Sequence, residues 1–102
     1  MKRRPKMPTA IRWPFGWRVQ ILYRTARQLA RMGLPKVHGC WIGEDRTIYV
    51  CSEDHVGDQA ETIAHELQHA SADYRHWVDQ YVRLPLLHES ANTAVELTDE
   101  EE

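Results

Sequence analysis

No acidic residue occurs before Glu44. Residues 1–43 carry ten Lys and Arg, whereas residues 44–102 hold all fifteen acids against three bases, Arg46, Arg75 and Arg83. Long apolar runs are missing as well. No stretch of about 18 apolar residues is available, which excludes a membrane-spanning helix. There are two cysteines, Cys40 and Cys51, and their spacing fits no zinc-finger pattern. Repeats and low-complexity linkers are absent. With 102 residues there is room for one small domain with a modest core, to which a bound metal would add stability. The basic start, "MKRRPKMP", is broken by Pro5, Pro8 and Pro14 and leads into no apolar signal core, so the expected location is the cytoplasm.

The charge asymmetry has two readings. A basic N-terminal half offers a nucleic acid or another anion a surface. The plainer reading is a solvated basic tail and a basic face that complements the acidic half. We prefer the plainer one, because no aromatic–basic nucleic-acid motif accompanies the charge. The closing "TDEEE" reads as a frayed acidic tail.

The expected organisation is a basic arm at 1–16, one domain at 17–97 and an acidic tail at 98–102. Residues 1–14 read as irregular. "WRVQILY" alternates Trp17, Val19, Ile21 and Tyr23 against Arg18, Gln20 and Leu22, which predicts a strand at about 17–23. A short helix at about 25–32, ended by Gly33, follows; one helix over 17–32 is the alternative. Val37–Ile42 and Thr47–Cys51 read as a hairpin around Gly43–Arg46. If its loop is symmetric about Asp45-Arg46, Cys40 and Cys51 stand opposite each other, although reduced, packed thiols are the expectation without an export signal.

Asp58-Gln59-Ala60-Glu61 is a capping-box pattern and predicts a helix from near Gln59 to about Tyr74. A further helical piece at 76–83 and a last helix from Pro85 to about Leu97 complete the reading. The expected class is α+β: a small antiparallel sheet packed on the Gln59–Tyr74 helix, with a C-terminal helix after it.

That middle helix carries "TIAHELQHA", Thr62 to Ala70. His65 and His69 are one turn apart, about 6 Å along the axis, so two imidazoles on one face can meet a zinc ion at ~2.0–2.1 Å. Glu66 lies beside the metal position, where a carboxylate can take a proton from water. Ala60, Ile63, Leu67, Ala70 and Tyr74 form an apolar stripe nearly opposite the histidines. From six His and nine Glu, chance gives roughly 0.03 such motifs in a chain of this length.

A hydrolytic zinc needs a third protein ligand and an open position. Asp73 and His76 also point toward the histidine face, but on a regular helix His76 is about 10.5 Å along the axis from His69. The third ligand must return from another segment. On a helix from Pro85, Leu87, Ala91, Ala94 and Val95 form an apolar face, with Glu89, Thr93 and Glu96 opposite. Glu89 is the preferred ligand and His88 its rival, while Asn92 is placed to orient a ligand. Tyr74, His76, Tyr81, Arg83 and His88 are all candidate oxyanion donors.

With "TIAHELQHA" at 62–70, "ESAN" at 89–92 and the hairpin strand "RTIYV" at 46–50, the chain resembles the minimal HExxH zincin metallopeptidases, of the ImmA/IrrE-like and small phage types. The resemblance covers about residues 37–97. It implies peptide-bond hydrolysis with one zinc ion held by His65, His69 and Glu89, and with Glu66 as general base and then proton donor. It also implies a peptide or protein substrate held along an edge strand, for which Thr47–Cys51 is the candidate. The metzincin pattern does not fit, since Ala72 and Arg75 occupy its glycine and third-ligand positions. The SprT-like proteases are the second resemblance; they would favour His88 as ligand and an association with nucleic acid. A zinc-stabilised binding or regulatory module without turnover is the remaining alternative. Substrate and oligomeric state are not legible.

Overall fold

β-strand pairing fixes the first unit of the chain. The computed structural model describes residues 6–34 and 37–90. Its strands are β1 (Ala10–Arg12), β2 (Arg18–Arg24), β3 (Gly39–Ile42) and β4 (Thr47–Cys51), with helix α1 (Ala26–Arg31) after β2 and the long helix α2 (Val56–Val78) after β4. The class is α+β, with one four-stranded sheet ordered β1-β2-β4-β3. The chain divides into two compact units, one up to Ser71 and one from Ala72 on.

The sheet is mixed, which corrects the antiparallel expectation. β1–β2 and β3–β4 are antiparallel, but β2 and β4 run parallel, with Ile21 opposite Ile48. A parallel pair needs a crossover connection, and α1 with β3 supplies it. Val19, Ile21, Ile48 and Val50 share one face by register and are essentially inaccessible, at 0 to 1% exposure. That face is the core of the unit.

The predicted strand at 17–23 and helix at 25–32 are both present, so the single-helix alternative is excluded. Thr25 and Gln28 form a reciprocal capping box at the start of α1. At its end Gly33 adopts φ 85°, and Leu34 N–H and Gly33 N–H bond the carbonyls of Leu29 and Ala30. This is the paired closure that a left-handed glycine permits.

β1 was not expected; it lies inside the stretch read as irregular. It pairs through a tight Trp13–Trp17 connection in which Trp13 N–H donates to Trp17 O at 2.8 Å. Phe15 (φ 62°) and Gly16 (φ 74°) both take left-handed backbone there.

The hairpin loop falls at Gly43–Arg46 as expected, but the ladder is symmetric about Glu44-Asp45 rather than Asp45-Arg46. Cys40 pairs with Tyr49, not with Cys51, whose N–H instead donates to His38 O at 2.7 Å. Both cysteines are free thiols. Arg46, at φ 49°, closes the loop and passes its carbonyl to Gln20 N–H at 2.9 Å.

α2 starts at Val56, ahead of the predicted Gln59. The cap is His55 rather than Asp58: its Nδ1 accepts from Gly57 N–H at 3.1 Å, and its carbonyl accepts from Gln59 N–H at 2.9 Å. Asp58 falls in the first turn, where its charge suits the helix dipole.

In the second unit the backbone stays helical through 90, with a π-helical turn at Asp79–Arg83. Pro85 therefore lies within a helical run and does not begin a new helix. Pro85 has no N–H, and its ring would collide with the carbonyl four residues back in an α-register. The shift to five-residue spacing, seen in Leu84 N–H donating to Asp79 O, accommodates it. The expected helix at 91–97 lies outside the described residues. No helix among the described residues is long and apolar enough to cross a membrane.

Candidate metal centre

Burial on α2 decides which side chains reach solvent. Ile63 and Ala70 are buried and Leu67 and Tyr74 half-buried, so most of the predicted stripe faces inward. Ala60 is exposed, and Gln59 is buried instead. Gln59 is tolerated there because its amide donates to the carbonyls of Ser52 (3.2 Å) and Asp54 (2.9 Å). Those two bonds pin the first turn of α2 to the end of β4.

His65 and His69 are exposed, and Glu66 between them is half-buried. The two imidazole centres lie 5.4 Å apart, with their planes at 78°. A tetrahedral ion held by two imidazoles at ~2.0–2.1 Å places the ring centres about 5 Å apart. The observed ring-centre spacing is close to that value.

A cleft of about 430 Å³ opens beside this face. Val37, His38 and Gly39 form one wall, and Glu61, Thr62, His65 and Glu66 form the other. His69 is not part of its lining. The edge of the sheet at this wall is β3, since β4 is flanked by β2 and β3. Thr47–Cys51 is thus an interior strand and cannot be the substrate edge assigned to it from sequence.

His38 was missed by sequence reasoning. Its Nδ1 is 2.7 Å from Asp54 Oδ2, and its side chain is 77% exposed. The carboxylate holds the ring, which lines the cleft, through Nδ1. The partner is sixteen residues away along the chain, a separation at which no sequence motif flags the pair. Cys40, on β3, has its thiol pKa raised from 9.0, first by burial and then by the Glu66 carboxylate. The charge of Glu66 is thus felt at β3.

No known family, characterised protein or solved structure matches this chain.

The other expected site residues are placed as follows. Glu89 and His88 are both exposed, on the helical stretch 84–90 of the second unit. Tyr74 stacks on Trp77, with ring centres 6.3 Å apart, and His76 is exposed. Asn92 lies outside the described residues. Among the described residues no three His, Cys, Asp or Glu side chains are gathered as a metal ion requires. Within the first unit, the structure sets His65, Glu66 and His69 together on α2.

Proposed function

We propose that the chain is a zinc-dependent metallopeptidase of the minimal zincin type, acting in the cytoplasm on a peptide or protein. The carrying observation is the exposed His65–His69 pair with Glu66 turned into a cleft beneath an edge strand. Two neutral imidazoles and a carboxylate form the donor set of a hydrolytic zinc site. His65 and His69 would hold the ion, with Glu89 as the third ligand and His88 as its rival. Bound zinc supplies the Lewis acidity that acidifies water and polarises a carbonyl.

The protein's own groups do the rest. An extended peptide pairs main chain to main chain with the outer edge of β3. That places a carbonyl over the cleft, near Glu66. Glu66 takes a proton from the attacking water and returns it to the leaving amine. His38, oriented by Asp54 through Nδ1, is the group on the cleft wall assigned to the developing oxyanion. The test is metal content: the purified chain should hold one zinc, and His65→Ala or His69→Ala should abolish it. Absence of zinc from the native chain after reconstitution would reject the reading.

A further inference from the structure

Two features of the β1–β2 hairpin are unfavourable to the fold and gain no packing in return. Phe15 adopts φ 62°, ψ 25°, a region that bulky L-residues rarely enter, yet it is 64% exposed. Arg12 and Arg18 are direct cross-strand partners, and both are exposed. Among the described residues neither forms an ion pair with a carboxylate. Like charges placed opposite each other weaken a ladder.

Arg12 and Arg18 line a cleft of about 230 Å³ with Trp13, Gly16 and Trp17, and Phe15 is the chain neighbour of Gly16 outside that lining. Its aromatic floor is braced from behind. Trp13 meets Trp17 edge to face at 5.1 Å, Trp17 meets Trp41 at 6.1 Å, and the Arg46 guanidinium lies 5.3 Å from the Trp17 ring centre. An aromatic–basic cluster is therefore present in space, assembled from residues that form no contiguous motif. Asp45 belongs to the adjoining cleft, with Arg18, Gln20 and Arg46, and marks the border of the patch.

We propose that this hairpin tip binds single-stranded nucleic acid, with a base stacked on Phe15 and phosphates shared by Arg12 and Arg18. Inorganic phosphate would satisfy the arginines and leave Phe15 in water. An apolar partner would cover Phe15 and leave the arginines opposed. A nucleic acid strand does both, since each nucleotide carries a flat π-face beside an anion. Base pairs in a duplex keep those faces stacked on each other. Residues 1–43 contain no acid, so the hairpin itself carries only basic charge, with Asp45 as the neighbouring acid. The site is independent of the peptidase reading.

The test is fluorescence anisotropy of a labelled oligothymidylate titrated with the full chain across a NaCl series. Saturable binding at about 50 mM salt, weakening as salt rises, is expected. Phe15→Gly should weaken it roughly tenfold, the loss of one stacked base, while thermal stability is kept or raised because glycine accepts the positive φ. Phe15→Trp should retain affinity. Arg12→Gln and Arg18→Gln should each flatten the salt dependence by about 0.7 in slope. Several results would overturn the proposal: no saturable binding at low salt, unchanged affinity in Phe15→Gly, or tighter binding to a duplex of the same length. Binding to phosphatidylserine vesicles without binding to the oligonucleotide would do so too.

Discussion

Gly39 on β3 and Thr62 on α2 come so close that a Cβ on the glycine would stand 2.5 Å from the threonine Cγ2. The same Cβ would run into the Tyr49 carbonyl oxygen on the neighbouring strand. The wall between β3 and the His65–Glu66 face keeps its spacing because residue 39 has no side chain.

Gly39→Ala is accordingly expected to destabilise the protein by about 1–3 kcal/mol, the usual cost of overpacking. Adding Thr62→Ser removes the Cγ2 and should recover part of the loss, since the Tyr49 oxygen stays in place. Urea denaturation measures both. An unchanged midpoint in Gly39→Ala would show that α2 does not approach β3 this closely.

His38→Ala should lower kcat by roughly 10²-fold, the effect of removing one oxyanion donor, with zinc content unchanged. Asp54→Asn keeps the size of the partner but loses its charge, and should give a smaller fall in kcat at similar KM. The measurement is steady-state cleavage with metal analysis of the same samples. A loss of zinc in His38→Ala would place His38 among the ligands instead.

Much of the first unit was legible because local signals agree. Alternation marked β2, Gly33 marked the end of α1, and the 3.6-residue period put His65 and His69 opposite Ile63 and Ala70. Tertiary facts were not legible. β1 is three residues long, too short for a period, and Pro8 and Pro14 flank it. The parallel partnership of β2 with β4 joins segments separated by a helix and a strand, so no local pattern encodes it. The ladder is symmetric about Glu44-Asp45, a centre the loop sequence does not mark, so the conditional pairing of Cys40 with Cys51 does not form while the expected free thiols do. His55 was missed as a cap because capping preferences point to Ser, Thr, Asp or Asn. Gln59 replaced Ala60 in the buried stripe because two carbonyls at the end of β4 satisfy its amide.

The Cys40 thiol should alkylate slowly at neutral pH, with a rate profile centred above its ordinary value of 9.0. Glu66→Gln should move that profile down only in part, because burial is the larger cause and remains. The linkage sign follows from a raised folded value. The neutral thiol's contribution to stability is complete below pH 9.0 and is lost as pH rises through the folded pKa. Iodoacetamide rates against pH, for the native chain and the variant, measure the shift.

Glu89→Ala should remove stoichiometric zinc, whereas His88→Ala should keep it. The reverse pattern would assign the third position to His88 and favour the SprT-like version of the proposal. Zinc analysis after dialysis against a weak chelator separates the two without any need for a known substrate.

The most direct measurement is zinc content and protein cleavage on the same preparation of Glu66→Gln. The variant keeps both histidines and nearly the same side-chain volume, but it removes the base. One zinc per chain with cleavage reduced by about 10²-fold or more is the predicted result. Undiminished cleavage by the zinc-loaded variant would contradict it.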